Sequence, residues 1–249
     1  MDRLLIATLN ILNLADRWDE RLPLLLAEMA ALQPDLIGLQ EVVYPMQQDR
    51  IIGAAGPARY EAIRGFAGRP EYGNSMLVRA PLVATAFDRL DLGVTRAAHR
   101  VALELEGGTR LVFAVAHLHH LPADGAIRLA QAEALVAWLE GSPAHDALIV
   151  SGDFNAPPDE PAARRMRAAG FRSAYAEANG ADPPVTWPSG LHAPAMDLDG
   201  PPACLDYLWV RGAITVERAR LFADRPAVGD PTLFASDHLG LAAHVRVGA

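Results

Sequence analysis

The segment 147–155 limits the possible folds more than any other part of the chain, because its short apolar run ends abruptly in acidic and amide side chains. Residues i and i+2 of a strand point to the same side, so Asp153 and Asn155 are predicted to project together from the end of a β-strand. Gly152, just before them, would let another backbone or a ligand approach closely. Taken alone, the segment could equally be a turn or a helix N-terminus before Pro157.

Five further apolar segments carry polar side chains at one end, which argues against an isolated turn. Three of them run from apolar into polar residues, and two begin with polar residues. An antiparallel strand starts at the edge where its partner ends, so six such strands can bring their polar ends to one rim. An unpaired buried polar group costs on the order of 2–7 kcal/mol, so a shared ligand is the simplest reason for this arrangement. The side chains predicted to share the rim are Asn10, Glu41, His117, Asp153, Asn155, Asp206, Asp237 and His238.

Length and composition predict one α/β domain over residues 1–249. No apolar run approaches the ~20 residues that a membrane span requires. We interpret residues 1–9 as the first strand of a cytoplasmic protein rather than as a leader peptide. The lone cysteine, Cys204, excludes an intrachain disulfide. The oligomeric state is unknown, with a monomer as the default.

The charge composition is unusual, because all 22 cationic residues are arginine and the formal net charge is −8. A lysine nucleophile, Schiff base or phosphate ligand is therefore excluded, and cationic recognition must use guanidinium groups, which bind phosphate bidentately. An acidic chain is poorly suited to tight non-specific binding of nucleic acid. A nuclease is still possible, because a bound divalent metal and a few arginines can reverse the local charge.

Helical periodicity and turn signals complete the outline of the fold. Apolar residues at helical spacing predict helices over 19–32 and 124–140, the second with Asp124 as N-cap, and a shorter helix over 159–169. Gly107-Gly108 predicts a hairpin turn. This mixture indicates a mixed sheet, or two sheets packed together with helices outside. The segment 176–204 is predicted to be an irregular loop that either forms a binding rim or is mobile.

A series of short motifs runs through nearly the whole chain in a fixed order. They are Asn10, Leu39-Gln40-Glu41, Tyr72-Gly73-Asn74-Ser75-Met76-Leu77, Arg100, Ala116-His117-Leu118, Gly152-Asp153-Phe154-Asn155, Leu205-Asp206-Tyr207 and Ser236-Asp237-His238. Each motif alone is weak, but their order is specific. In this order they resemble the endonuclease/exonuclease/phosphatase family, the DNase I-like metal-dependent phosphoesterases.

This resemblance implies a four-layer α/β sandwich, with two packed mixed β-sheets flanked by helices. It implies in-line attack of water on a phosphoester, assisted by Mg²⁺ or Mn²⁺. Metal binding is implied for Glu41 first, then for Asp237 and Asn10, and phosphate or substrate binding for Asn74 and Arg100. Asp153 would orient the water and Asn155 would donate to a phosphate oxygen. His238, paired with Asp206, would act as base or stabilise the transition state, and His117 would bind the phosphate as a cation.

The substrate is less constrained than the chemistry. The resemblance favours a phosphodiesterase or nuclease, and the alternative is a hydrolase of small esters such as nucleotides, lipid head groups or sugar phosphates. A phosphate-binding module without catalysis is a third reading. Tyr72 and Trp187 are candidates to stack on a base, or they simply pack their own loops. His119 is expected in a solvated loop, and His192 is a further candidate for substrate contact.

Overall fold

The computed structural model describes residues 1–56, 59–194, 196 and 200–248. Its strands are β1 (Asp2–Asn10), β2 (Leu36–Val43), β3 (Tyr60–Ala67), β4 (Arg69–Arg79), β5 (Ala84–Gly93), β6 (Arg96–Glu104), β7 (Arg110–His117), β8 (Ala147–Asp153), β9 (Arg172–Ser173), β10 (Asp206–Gly212), β11 (Ile214–Phe222) and β12 (Gly240–Val247). Its helices are α1 (Trp18–Leu32), α2 (Gln48–Ala54), α3 (Gly125–Glu140), α4 (Pro161–Ala168) and α5 (Ala174–Asn179), and a short 3₁₀ turn, Pro122–Asp124, precedes α3.

Within these described ranges the strands form two six-stranded sheets, in the orders β11-β12-β1-β2-β4-β3 and β5-β6-β7-β8-β10-β9. Each sheet is mixed: β1 and β2 are parallel, as are β7 and β8, whereas their other neighbours run antiparallel. The sheets pack face to face, and helices cover their outer faces. The predicted fold class, a four-layer α/β sandwich, is confirmed.

The middle strand β8 shows why the sandwich has four layers. All of its residues are buried, as expected for a strand that is covered on both faces. Ile149 belongs to the core between the sheets, whereas its neighbour Val150 belongs to a second hydrophobic cluster that includes Leu135 and Leu139 of α3. Successive residues therefore serve two different hydrophobic layers, which explains why the run is continuously apolar rather than alternating.

Helix α1 covers the first sheet with an apolar stripe. Leu25, Met29 and Leu32 are buried at helical spacing, and the helix stops at Gln33, which has a left-handed backbone before Pro34. The three predicted helices are confirmed to within two residues at each end. In the described part of the chain no helix combines the length and the hydropathy that crossing a membrane requires.

Two local predictions differ from the structure. Asp124 precedes α3 but makes no capping hydrogen bond, because its carboxylate accepts instead from His119 Nε2 at 2.7 Å. The segment 176–204 is not wholly irregular, since it begins inside α5 and pairs Trp187 with Ala203 in an isolated bridge. Within this segment, residues 195 and 197–199 lie outside the described part of the chain.

Candidate active site

Three strand ends of the second sheet place acidic and imidazole side chains side by side. His117, the last residue of β7, pairs in register with Asp153, the last residue of β8. Asp206, the first residue of the antiparallel strand β10, pairs with Asp153 from the other side. Neighbouring strands lie about 4.8 Å apart, so this register alone brings the three side chains to one edge. Gly152 makes the approach possible, because a Cβ there would lie 2.0 Å from the Ala116 carbonyl oxygen.

The first sheet contributes its own strand ends to the same edge. Asn10 ends β1 opposite Gln40 of β2, and Glu41 follows in a β-bulge between Leu39 and Val42. Glu41 has a positive φ of 59°, which is uncommon for a residue with a side chain. A bulge redirects the side chain that it carries, so the irregularity turns Glu41 toward the edge.

The third contribution comes from the residues just before β12. Ser236 Oγ donates to the Asn10 carbonyl oxygen at 2.6 Å and anchors this segment to the end of β1. A cavity of about 500 Å³ opens between the sheets at this edge. Seven of the eight predicted rim residues line it, namely Asn10, Glu41, His117, Asp153, Asn155, Asp237 and His238. The eighth, Asp206, lies directly behind His238, with 2.9 Å between its Oδ2 and His238 Nδ1.

One carboxylate oxygen lies at the centre of this cluster. Asp153 Oδ2 accepts from Asn10 Nδ2 at 3.0 Å, and it lies 3.4 Å from His117 Nε2 and 3.7 Å from His238 Nε2. The backbone N–H of Asn155 donates to the other oxygen, Oδ1, at 2.9 Å. The carboxylate is therefore fixed in orientation while one oxygen faces both imidazoles.

Burial and neighbouring charges shift the protonation of this cluster in identifiable directions. Burial raises the pKa of Asp153 to about 7, and the Asp206 carboxylate adds to that shift while His238 opposes it. Burial alone would lower the pKa of His238, but Asp206, Asp153 and Asp237 together raise it well above its ordinary value. Thr186 supports this pair, because its hydroxyl donates to Asp206 Oδ2 at 2.6 Å. His238 is therefore a cation at neutral pH.

His117 does not carry the positive charge expected from the sequence. Burial holds its pKa well below the ordinary value, and the nearby charges of Arg96, His238 and His120 lower it further. Arg96 Nη1 lies 2.9 Å from both ring nitrogens of His117 and supplies the cation instead. The neutral imidazole is thus a hydrogen-bonding group, and the guanidinium is the positive group beside it.

The carboxylates of Glu41 and Asp237 suit a divalent cation. Glu41 accepts from Asn13 Nδ2 at 2.8 Å, from Asn10 Nδ2 at 3.4 Å and from the Tyr72 hydroxyl, all of them neutral donors. Among the described residues neither Glu41 nor Asp237 forms an ion pair with arginine or histidine. Uncompensated oxygen ligands in a shared cavity are the donors that Mg²⁺ and Mn²⁺ prefer.

A second group of possible metal ligands overlaps the cluster around Asp153. Asp153, Asp206 and His238 each offer one ligand atom, and these atoms lie within 4.8 Å of one another. A protonated imidazole cannot donate a lone pair to a metal, so the charge on His238 favours the Glu41 side for the ion. The metal-binding role predicted for Asn10 stays a prediction. In this structure its oxygen accepts from the Leu12 N–H at 3.0 Å, and its nitrogen faces the carboxylates of Glu41 and Asp153.

Two of the residues predicted to bind substrate lie at or beside the cavity. Trp187 lines it and donates through Nε1 to Asp237 Oδ2 at 3.3 Å. The hydroxyl of Tyr72 is directed to Glu41, and burial raises the pKa of this phenol. Each of these two aromatic side chains therefore donates a hydrogen bond to an acidic residue of the site. Asn155, which also lines the cavity, donates to the Leu118 carbonyl oxygen at 3.1 Å.

The predictions for Arg100 and Asn74 are wrong in position. Arg100 is buried on the outer side of the second sheet, where it donates to Asp88, Ser142 and two carbonyls at the end of α3. Four residues of a strand span about 13 Å, so Arg96, at the start of the same strand, reaches the cavity instead. Asn74 is buried between the sheets and donates to the Ala97 carbonyl oxygen at 3.0 Å.

The histidines left open by the sequence also have defined positions. His119 is buried, not solvated, and its backbone N–H donates to Gln131 Oε1 at 2.8 Å. His120 lines the cavity, with its Nδ1 3.0 Å from Arg96 Nη2. His192 is exposed and lies outside the cavity lining, and its backbone N–H donates to the Thr232 carbonyl oxygen.

Sequence reasoning missed three residues that the site uses. Arg96 opens an apolar strand, so the pattern that identified Asp206 could also have found it. Thr186 and Asn13 lie outside the sheets, where no periodicity shows which way a side chain points. Their roles follow only from contacts with Asp206 and Glu41, which are distant in the chain.

Comparisons with known proteins agree with this geometry. A sequence profile described as the Endonuclease/Exonuclease/phosphatase family matches residues 7–238. Nocturnin of Xenopus laevis is 30% identical over 259 aligned residues, which cover 90% of this chain and 64% of that protein. The chain therefore spans less than two thirds of the length of this relative.

Solved structures with the same fold include the human Nocturnin catalytic domain with a bound sulfate anion. It has a TM-score of 0.80 and 24% identity, over 99% of this chain and 95% of that one. TDP2 of D. rerio complexed with a single-strand DNA product has a TM-score of 0.81 and 16% identity, over 99% and 100% of the two chains. A family protein of Bacteroides vulgatus has a TM-score of 0.79 and 17% identity over the whole of both chains.

Proposed function

The chain belongs to the endonuclease/exonuclease/phosphatase family, and on that premise we propose that it is a divalent-metal-dependent hydrolase of phosphoesters. We propose further that residues 1–249 act as one catalytic domain. The observation that carries the proposal is the position of Asp153 Oδ2, which lies beside two imidazoles in a cavity that Glu41 and Asp237 also line. Side chains suited to activating water, to binding phosphate and to binding a metal ion therefore lie next to one another in this cavity.

Asp153 is the proposed base that orients and deprotonates the attacking water. A base works best when its pKa lies near the working pH, and a pKa of about 7 meets this condition. The Asn155 backbone N–H fixes Oδ1 of this carboxylate. Oδ2, which accepts from Asn10 Nδ2 and keeps a second lone pair, is the oxygen proposed to take the proton. Attack on phosphorus then proceeds opposite the leaving oxygen.

Negative charge that develops on the phosphoryl group would be met by donors already in place. These are the charged imidazole of His238, the guanidinium of Arg96 and the second N–H of the Asn155 side-chain amide, whose first N–H donates to Leu118. Each donor directed at developing charge contributes on the order of 10²–10³ in rate. Asp206 and Thr186 keep His238 charged and oriented. Of the two sequence-based roles for His238, the protonation state favours the stabilising one over the base.

Glu41 and Asp237 are the residues proposed to hold the cation, Mg²⁺ or Mn²⁺. When bound, the ion would polarise a phosphoryl oxygen as a Lewis acid. Asn10 and Asn13 orient the Glu41 carboxylate, and Tyr72 donates to it.

A phosphodiester is the preferred substrate class, including single-stranded nucleic acid. The structural neighbour TDP2 was captured with a single-strand DNA product, and Trp187 lines the cavity where a base could stack. A small phosphate ester is the second candidate, favoured by the net charge of −8, which opposes non-specific nucleic-acid binding. The two differ in salt dependence, because turnover of a polymer should fall steeply with added salt.

The function is tested with Glu41→Gln, which keeps the shape of the side chain and removes its charge. Parent and variant are assayed with Mg²⁺ and Mn²⁺ against single-stranded DNA and RNA, nucleotides, inositol phosphates and bis-p-nitrophenyl phosphate. We expect metal-dependent hydrolysis by the parent and a loss of about 10²-fold or more in the variant. Glu61→Gln, at an exposed position of β3, is the matched control and should be unaffected. Undiminished hydrolysis by Glu41→Gln would refute the proposed metal site.

A further inference from the structure

Arg21, in the first turns of α1, is completely buried although no carboxylate pairs with it in the described part of the chain. Its guanidinium instead donates six hydrogen bonds of 2.7–3.2 Å to backbone carbonyl oxygens. Burial lowers its pKa to about 10, while the charges of Asp237, Asp16 and Glu41 oppose that shift. The side chain is therefore still a cation at neutral pH.

Five of these six carbonyls belong to residues 11–16, the loop that joins the end of β1 to α1. This loop has no regular structure, and Leu12, Asn13 and Asp16 all have positive φ angles. Such conformations cost on the order of 1–3 kcal/mol each unless the surroundings enforce them. A planar group with five N–H donors can hold several carbonyls in fixed directions at once, which an ammonium group cannot do.

The loop that Arg21 holds supports the proposed metal ligand. Asn13 Nδ2 donates to Glu41 Oε2 at 2.8 Å, and the Asn13 carbonyl accepts from both Arg21 and Gln47 Nε2, the latter at 2.6 Å. The sixth carbonyl held by Arg21 is that of Ala235. It lies two residues before Asp237, the other proposed ligand.

We propose that Arg21 is the positioning residue of the metal site, which holds the Asn13 amide against Glu41 and the Ala235 backbone beside Asp237. The inference rests on the proposed function, because it takes Glu41 and Asp237 as the cation ligands. Arg21 itself touches neither carboxylate in a hydrogen bond of the described structure, so it acts through Asn13 and the backbone. No motif of the sequence analysis included it.

The test measures Mn²⁺ binding directly, by the EPR signal of free Mn²⁺ without substrate. Arg21→Lys keeps the positive charge but loses the planar fork of donors. We expect the Mn²⁺ dissociation constant to rise about 10- to 100-fold, the range found when groups that orient metal ligands are removed. Circular dichroism and thermal melting establish that the variant is folded. A folded Arg21→Lys protein that binds Mn²⁺ within twofold of the parent overturns the proposal.

Asn13→Ala decides the matter if Arg21→Lys does not fold. It removes the amide whose nitrogen reaches Glu41 and whose oxygen accepts from the Ala15 N–H, but it leaves the backbone carbonyl that Arg21 binds. We expect a similar rise in the dissociation constant. Where Arg21→Lys does fold, the double variant should show less than the product of the two single effects. Unchanged Mn²⁺ affinity in Asn13→Ala, or fully independent effects, would contradict the inference.

Arg100→Lys is the matched control, since Arg100 is also a buried arginine that donates to helix-end carbonyls but lies away from the cavity. It should lower the melting temperature without changing Mn²⁺ affinity, and weakened binding would overturn the proposal by showing a general effect of stability. Glu41→Gln distinguishes a failure of the proposed function from a failure of the proposed role of Arg21. Retained Mn²⁺ binding in Glu41→Gln would refute the proposed function itself, whatever Arg21 does.

Discussion

The charge of the site depends on contacts between individual side chains. His238 is buried, and an isolated imidazole in that position would be neutral. The carboxylate of Asp206, 2.9 Å from its Nδ1, is the largest influence that reverses this tendency. The same carboxylate raises the pKa of Asp153. One acidic residue outside the cavity lining therefore keeps His238 charged and adds to the raised pKa of Asp153.

Replacing Asp206 by Asn removes the charge of this side chain and keeps its shape, so it tests the electrostatic influence on its own. Without the charge, the pKa of the His238 imidazole should fall, so less of the cation is present at neutral pH. We expect kcat to drop about 10²–10³-fold, with the His238 ring titrating at lower pH by NMR. Asp124→Asn removes the carboxylate of the other histidine–aspartate pair, His119–Asp124, and should change neither quantity. An unaltered His238 titration in Asp206→Asn would show that this assignment of charge is wrong.

At this scale the sequence predicts residue types better than it predicts positions. An arginine for phosphate was expected at Arg100, yet the one at the cavity is Arg96, four residues earlier. Motif matching does not fix a position along a strand to within a few residues, whereas a rise of about 3.3 Å per residue places Arg96 and Arg100 about 13 Å apart. The cationic state expected for His117 also failed, because its burial and the neighbouring Arg96 charge follow from the tertiary structure.

Among the elements, the strand ends carry most of the site. The strand-end pattern predicted correctly that Asn10, His117 and Asp153 would come together, although Asn10 and Asp153 are 143 residues apart. It succeeded because apolar strands must be buried, and buried strands end at a shared edge. The loop between β1 and α1 was not predicted, since its shape depends on a buried arginine in the following helix.

The close approach of β7 and β8 beneath Asp153 requires glycine at position 152. A Cβ there would lie 2.0 Å from the Ala116 carbonyl oxygen, and backbone atoms cannot move aside as a flexible side chain would. We expect Gly152→Ala to destabilise the fold by more than about 2 kcal/mol in urea unfolding. Gly53→Ala, in α2 with no atom near the added methyl, should instead stabilise by about 0.5–1 kcal/mol. Equal stability of Gly152→Ala and the parent would exclude this packing constraint.

The molecule as a whole is two sheets with the cavity at one edge and an apolar core between them. Against this apolar background lies a titratable group, His99 of β6, whose ring faces Gly65 of β3 in the other sheet. Both of its ring nitrogens lack a hydrogen-bond partner in the described structure. Burial lowers the pKa of His99 to about 3, and the charge of Arg89 contributes.

This histidine should make the packing of the two sheets sensitive to acid. The unfolded chain binds the proton with a pKa near 6.5, whereas the folded chain resists it down to about 3. Stability from this group is therefore complete above pH 6.5 and is lost as the pH falls toward 3. Between pH 6.5 and 5 we expect a loss of about 1.5 kcal/mol in the free energy of unfolding.

His99→Phe removes the titration and the two unpaired nitrogens together, so the loss between pH 6.5 and 5 should shrink by that amount in urea unfolding. His192→Phe, at an exposed position, should leave the pH dependence of the parent unchanged. Identical pH profiles for His99→Phe and the parent would mean that the buried ring does not control acid stability.

The pairing of β1 with β12 has a consequence for how the protein is made. β1 lies between β2 and β12, so one of its two neighbours is translated more than 200 residues later. Asp237 and His238 immediately precede that late strand. A ribosome-bound chain can form much of the second sheet, but Asp237 and His238 cannot join the proposed active site until β12 emerges from the exit tunnel. Hydrolytic activity should therefore be absent from the nascent polypeptide until β12 has emerged and paired with β1.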